Sequence, residues 1–401
     1  MVICHIWDAD YPWDIRVEKV CGSLQLKHKV HLVCRNAGRL PRYEELDGTS
    51  IHRLPAMPKW TGPCNAIVGF PLFFNPVWFF VIWSTVRHTH ADLLLVRDLP
   101  LALPAIVIGR WFKIPVLLDL AENYPAMLRD RLLYTPTSLI GRVVRHPAPA
   151  KIIEKLVLAL VDHIVVVVEE SRDRLLAMGV RGDRMSIVSN TPPLDRWEGE
   201  QTHQKNGQSK EAPHFVYLGN LDGSRGVDTA IKAISLLKDR KVFARLSIIG
   251  TGPNIAQFRE QAELLGVTDR VAILGRLGFS EVQKVMAEAN VGLIPHYDTE
   301  AWNSTIPNKL FDFMSMGKPV VVSDAKPTAR IVREEQCGVV FKAQDASDLS
   351  DAMMQVKDSS IRDQLGRHGR ASFIQKYNWT VDEQKLFESV EMTAKTKENR
   401  H

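Results

Sequence analysis

The sequence predicts two doubly wound α/β domains in tandem, and three observations predict them. Short apolar, β-branched runs alternate with amphipathic stretches along the chain, the pattern of buried parallel strands and their crossover helices. The alternation halts once, between Glu198 and Glu211 over GEQTHQKNGQSKE, and then resumes. At 401 residues the chain exceeds one ordinary domain and suits two of nearly equal size, each able to bury its own core.

In the first domain, residues 1–197, the strand candidates are VICHIW from Val2, KVHLVC from Lys29, ADLLLV from Ala91, IPVLLDL from Ile114, HIVVVV from His163 and RMSIVSN from Arg184. Helices are expected over 15–26 and 171–178, the second stopped by Gly179. Residues 198–212 form a flexible connection. The second domain, 213–372, has strand candidates FVYLGN from Phe215, ARLSIIG from Ala244, VAILGR from Val271, VGLIP from Val291, PVVVSD from Pro319 and GVVF from Gly338, with helices over 226–237, 255–264 and 280–289. From Asp363 to about Thr393 the pattern is helical, with Trp379 inside. Residues 373–401 are expected to pack back on the first domain and end in a frayed tail. Ligands of such sheets bind beyond the carboxyl ends of the strands, so the two domains are expected to face one interdomain cleft.

The uncharged stretch AIVGFPLFFNPVWFFVIWSTV, residues 66–86, is about long enough to cross a bilayer as a helix. Asn75-Pro76 interrupts it, and it falls inside the α/β alternation, so a core helix and an in-plane membrane helix compete with a true span. Its aromatic load (Trp78, Phe79, Phe80, Trp83) suits a water–lipid boundary.

Hydrophobic content of 45% and charged content of 24% exclude wholesale disorder. A net charge of +5 without a concentrated basic run gives little support to nucleic-acid binding, and leaves anionic substrates or membrane headgroups as partners. Five cysteines (Cys4, Cys21, Cys34, Cys64, Cys337) without CxxC spacing argue against a disulfide framework and a zinc site, and fit a reducing compartment. MVICHIWDADYPW lacks a basic region before a long apolar one, so no signal peptide is expected.

The chemistry concentrates between Trp302 and Asp324. Pro307 suits a first helical position and Gly317 a C-terminal stop, which predicts a helix over about 307–316. Leu310, Phe313 and Met314 share one face, while Asn308, Lys309 and Asp312 form a polar one. A helix N-terminus with Lys309 in its first turn suits a diphosphate, and Asp312 suits ribose hydroxyls. An exposed Lys309–Asp312 pair is the plain alternative. The same domain opens with GNLDGSRGVD, Gly219 to Asp228, directly after its first strand; such a turn admits phosphate close to backbone, and Arg225 supplies charge. GTGP, Gly250 to Pro253, is a second close-approach turn, and Ile255 stands where a dinucleotide fingerprint needs its third glycine, which demotes a nicotinamide cofactor.

These motifs resemble glycosyltransferase family 4, the retaining enzymes of GT-B fold. FVYLGNLDGSRGVDTAIKAI, IIGTGP, DRVAILGRL, VGLIPH and PNKLFDFMSMGKPVVVSD stand in that family's order, and the resemblance covers nearly the whole chain. It implies that Arg225 and Lys309 hold the donor diphosphate, that Asp312 holds the ribose, and that Leu277 lies where the base is held. Gly219, Asn220, Gly250, Gly252, Ser304, Pro307, Asn308 and Leu310 complete the implied donor site. Asn220 replaces the family's usual arginine, and Ser304 its first glutamate. In the first domain, RDLPLALPA and LLDLAENYP match a subgroup of polysaccharide and lipid-linked glycan enzymes, although Ala121 stands where many relatives have a histidine. Glu122 and Asp98, at strand ends, are expected near the acceptor hydroxyl, in competition with helix capping. Asp14 and Arg16 resemble early acceptor-side residues, in competition with a local ion pair.

The resemblance implies transfer of a sugar from a nucleoside diphosphate to a glycan or lipid-linked acceptor, with no metal and no cofactor. The aromatic stretch and the basic segment from Arg129 to Lys155 point to peripheral docking on the cytoplasmic face of an anionic membrane, against a solvated loop for the basic segment. A sugar-nucleotide epimerase, a phosphorylase and a catalytically silent sugar-nucleotide-binding protein are the alternatives.

Overall fold

The apolar runs form two separate parallel sheets, in a computed structural model that describes residues 1–12, 14–56, 75–135, 142, 146–197 and 212–398. Two compact units result. The first comprises residues 1–125, 147–189 and 382–401, and the second residues 126–146 and 190–381. All but the last residue of the expected connection at 198–212 lies outside the described residues.

In the first unit β1 (Val2–Ile6), β2 (Lys29–Cys34), β3 (Tyr43–Leu46), β4 (Thr49–Arg53), β5 (Leu93–Arg97), β6 (Val116–Leu120), β7 (His163–Val166) and β8 (Met185–Ile187) lie in the order β3-β4-β2-β1-β5-β6-β7-β8. All neighbours are parallel except β3 and β4. That hairpin is absent from the sequence expectation because YEEL, exposed and charged, offers no apolar run. Its signal is the pair Asp47-Gly48, both in left-handed backbone (φ 48° and 80°), the two-residue turn that matches strand twist.

The unit's helices are α1 (Ile15–Leu24), α2 (Pro76–Thr89), α3 (Ala102–Phe112), the beginning of α4 (Tyr124–Tyr134), α5 (Pro147–Leu160) and α6 (Glu169–Ala177). Asn75-Pro76 begins α2 instead of interrupting it: the Asn75 side chain accepts from the Val77 amide at 2.9 Å, and proline in the first turn needs no donor. Trp78, expected at a membrane boundary, is wholly buried on the sheet with Ile82 and Val86. Residues 57–74, which hold the first half of the aromatic stretch, lie outside the described residues. Among the described residues no helix is long and apolar enough to cross a membrane.

The second unit's strands β9 (His214–Leu218), β10 (Arg245–Ile249), β11 (Val271–Gly275), β12 (Val291–Ile294), β13 (Val320–Ser323) and β14 (Gly338–Phe341) form an all-parallel sheet in the order β11-β10-β9-β12-β13-β14. Its helices are α7 (Val227–Asp239), α8 (Ile255–Leu264), α9 (Phe279–Glu288), α10 (Lys309–Ser315), α11 (Lys326–Glu334), α12 (Ala346–Gln355) and α13 (Ser359–Gln375). The terminal helical stretch is thus broken, and Trp379 opens α14 (Trp379–Glu398) instead of lying inside one helix. Phe215, Ile231, Ile234, Leu246, Leu293 and Phe341 lie in the core, each worth about 1.5–3 kcal/mol relative to exposure. From β9 the chain winds to β10 and β11, then returns to β9's other edge at β12. The β9/β12 boundary is therefore the switch point, where loops leave in opposite directions and open a crevice.

Candidate functional site

The loops at this switch point approach one another backbone to backbone, and glycine permits it. A Cβ on Gly250 (φ 141°) would lie 1.8 Å from the Gly219 carbonyl oxygen, and one on Gly226 (φ 70°) 1.7 Å from that of Pro295. A Cβ on Gly252 would lie 2.3 Å from the Leu221 carbonyl oxygen. The turns after β9, β10 and β12 thereby share one floor.

Onto this floor α10 delivers Lys309. A Cβ on Gly219 would stand 2.9 Å from the Lys309 Nζ, so the amine lies over bare backbone. The helix differs from the sequence expectation in two ways. It begins at Lys309, two residues past Pro307, and all seven of its residues are buried, so it has no exposed polar face. Gly292 is the cause on one side: the Phe313 ring packs where a side chain on β12 would sit. The exposed Lys309–Asp312 pair is excluded, because Lys309 is 7% exposed and its Nζ contacts other groups. It lies 3.4 Å from His296 Nε2 and 4.0 Å from the centroid of Tyr217. Among the described residues no carboxylate pairs with it.

His296 stacks on Trp302 with centroids 3.9 Å apart, and the Arg225 guanidinium lies 4.4 Å from the Trp302 centroid. Arg225 also pairs with Asp222 at 3.1 Å, which caps the short turn carrying it. Lys309, His296, Trp302 and Arg225 therefore form one continuous chain of contacts. Burial first, and then Arg225, hold the Lys309 amine well below the ordinary lysine value, with Asp222 and Asp312 pulling the other way. Burial, Lys309 and Arg225 likewise hold His296 well below the ordinary histidine value.

Asp312 sits one helical turn on, also buried, and its Oδ1 accepts from Trp197 Nε1 at 2.9 Å, with Arg196 Nε at 3.4 Å. Ser304 is buried, its hydroxyl donating to the Glu300 carbonyl at 2.8 Å. Pro307 and Leu310 are buried and Asn308 half-buried beside Lys309, while Asn220 is exposed and donates to Asp222. Leu277 is half-buried, two residues past β11.

In the first unit the expected acceptor-side residues meet a cluster centred on Asp119, which the sequence analysis did not single out. Strand register sets Arg97 of β5 beside Asp119 of β6. Arg16 reaches in from α1, its Nε and Nη2 donating to the two Asp119 oxygens at 2.8 and 2.6 Å and its Nη1 to the Ser189 carbonyl at 3.2 Å. Arg16, 2% exposed, is thus committed to the protein's own carboxylate. Asp14 makes no local ion pair with it; its carboxylate caps α1, accepting from the Arg16 and Val17 amides.

Asp98 follows β5 in left-handed backbone (φ 58°), accepts from the Ala121 amide at 3.0 Å and lies 3.5 Å from Arg97. Burial pushes its carboxyl up to about 7, against the pull of Arg97 and with Glu122, Asp119 and Asp8 adding to the rise. Burial also pushes Asp119 upward, but Arg16 and Arg97 outweigh it and hold this carboxyl below the ordinary aspartate range. Glu122 is exposed, two residues beyond β6.

The family described as "Glycosyl transferase 4-like domain" matches residues 16–191, and "Glycosyl transferases group 1" matches residues 212–358. Each half of the chain thus matches a glycosyltransferase domain model, and the fold is of GT-B type. Phosphatidyl-myo-inositol mannosyltransferase of Mycobacterium leprae is 25% identical over 45% of this chain and 46% of that protein, so the match spans about half of the relative. Sucrose-phosphate synthase from Thermosynechococcus elongatus superposes with a TM-score of 0.74 at 17% identity over 98% of both chains. Alr3699/HepE of Anabaena, solved in complex with UDP-glucose, superposes with a TM-score of 0.69 at 12% identity, over 98% of this chain and 99% of that one.

Lys309, Arg225 and His296, the basic side chains of the second unit's site, lie at its switch point. Sequence inspection missed His296, Trp302, Tyr217 and Trp197 there. His296 carried a signal, since it follows β12 by two residues in VGLIPH and so had to sit at a strand's carboxyl end. Asp119 carried another: a carboxylate inside the apolar run VLLDL must be paired.

Proposed function

We propose that the protein is a retaining, metal-independent transferase of family 4, which moves a sugar from a nucleoside diphosphate to a hydroxyl of a glycan or lipid-linked acceptor at the cytoplasmic face of a membrane. Lys309 carries this assignment: a buried amine with no carboxylate partner among the described residues, over glycine backbone at a switch point, lacks an anion that a diphosphate supplies. Arg225 adds a second positive group. As the bond from C1 to the diphosphate breaks, charge grows on the leaving oxygen, and Lys309 and Arg225 stabilise it. The acceptor oxygen enters from the face the diphosphate leaves. Asp98 and Glu122 are the candidates for the acceptor side, and Asp98, whose carboxyl burial raises to about 7, suits a group that holds or releases a proton. Asp312 and Leu277 serve the ribose and the base.

The UDP-glucose complex of the Anabaena neighbour supports a nucleotide-sugar donor, and the name of the mycobacterial relative supports a lipid-borne acceptor. A thermal-shift screen of nucleoside diphosphates and their sugar conjugates identifies the donor, since a ligand of the native state raises its melting temperature. Product anomeric configuration, read by NMR, then tests retention; an inverted product overturns it. Ser304, spent on the Glu300 carbonyl, and Ala121 favour one second possibility, a silent sugar-nucleotide-binding protein. Donor binding with neither transfer nor hydrolysis selects it.

A further inference from the structure

Three helices of the first unit, α2, α3 and α5, lie side by side, α3 touching both others. Their outward stripes are apolar where a solvated face would be polar. Phe80 of α2 is 63% exposed, Trp111 of α3 73% and Ile152 of α5 70%, with Val107 and Leu156 beside them. These are not isolated side chains. Trp83 stacks on Phe80 and meets Phe112 at a tilt, centroids 6.3 Å apart in each case, and so joins α2 to α3.

The charges on this face are of one sign. Arg87 lies over the Trp83 ring at 5.2 Å, and Arg110, Lys113, Lys151 and Lys155 are exposed on α3, its cap and α5. Neither α2 nor α3 contains an acidic residue, and the one glutamate of α5, Glu154, is buried and paired with Arg174 at 2.9 Å. Phe80 and Ser84 also wall a cavity of about 210 Å³ lined by Arg42, just before β3, and by Arg53 of β4, which pairs with Glu44 at 2.7 Å. An occupant of this face must answer both the exposed rings of Phe80 and Trp111 and the cations around them. An anionic bilayer does: aromatic rings settle at its headgroup boundary while the cations meet lipid phosphates.

We propose that the outer face of α2, α3 and α5 is the surface on which the protein lies on anionic phospholipid, with Trp111 and Phe80 as its anchors. This rests on the membrane-surface function proposed above and replaces Trp78, which is buried, as the anchor. The full chain is tested by co-sedimentation with phosphatidylcholine vesicles with and without phosphatidylglycerol, alongside Trp111→Ser, Phe80→Ser and Arg110→Glu/Lys113→Glu, each first shown to keep the parent melting temperature. Binding is expected only with phosphatidylglycerol. It should fall several-fold with either aromatic variant and about fivefold for each cation removed. Equal binding to uncharged vesicles, undiminished binding of the variants, or a dimer in sedimentation equilibrium that these variants dissociate would overturn the proposal. Nucleoside diphosphate affinity, measured without vesicles, separates the two claims. Retained nucleotide binding with lost vesicle binding supports the surface, whereas vesicle binding by a chain that takes no sugar nucleotide sinks the transferase assignment and leaves the surface standing.

Discussion

Two clusters of charge lie at strand ends, one in each unit, and they are solved in opposite ways. Around Asp119 the signs match: two guanidiniums share its oxygens at 2.6 to 3.1 Å, and Asp98 stands beside Arg97. Around Lys309 they do not, since the amine meets an imidazole and a phenol ring. A buried charge network that closes on itself stabilises α1 and the strands it ties together. One left open costs the empty protein free energy and returns it when an anion arrives. The Asp119 pairs are therefore assigned to the fold, and the Lys309 cluster is proposed for the ligand.

Removing one member of each should break the comparison most visibly. Asp119→Ala leaves two buried guanidiniums facing each other and is expected to destabilise the first unit by about 3–5 kcal/mol, read by urea denaturation. Lys309→Met removes a buried amine that the empty fold does not need. Its melting temperature should hold or rise while turnover falls about 100- to 1,000-fold, the size seen for a lost transition-state donor. A large loss of stability in Lys309→Met, or none in Asp119→Ala, would erase the distinction.

Smaller changes sharpen it. Trp197→Phe deprives Asp312 of an indole donor and should cost about 2 kcal/mol of stability, because a hydrogen bond to a buried carboxylate is lost. Asp98 sets a pH dependence. Its folded value is raised, so its contribution is full below the ordinary 3.8 and is lost as pH rises through about 7. Asp98→Asn should flatten a slope of about 1 kcal/mol per pH unit in that window; an unchanged profile would remove Asp98 as its source.

Twelve of the fourteen strands described were readable from apolar runs because a buried parallel strand needs no partner's identity to look apolar. Lys309 and Arg225 were readable for the same local reason, each adjoining a glycine turn or a proline. The β3–β4 hairpin was not, since its exposed YEEL lacks periodic hydrophobes and only Asp47-Gly48 betrays it. Nor was the partnership of Arg16 with Asp119, because the two are 103 positions apart and meet only through strand order. Trp78 misled for a third reason: uniform apolarity along α2 hides which ring faces the sheet, and burial selected Trp78 while leaving Phe80 outside.

The open cluster is tested most directly by calorimetric titration of a nucleoside diphosphate in buffers of differing ionisation heat, near neutral pH. The empty protein holds Lys309 well below its ordinary value, and a bound diphosphate favours the charged amine, so binding should take up a proton and strengthen as pH falls. Lys309→Met should bind more weakly and without that proton. Binding of equal strength in both proteins, with no net proton exchange, would contradict the account.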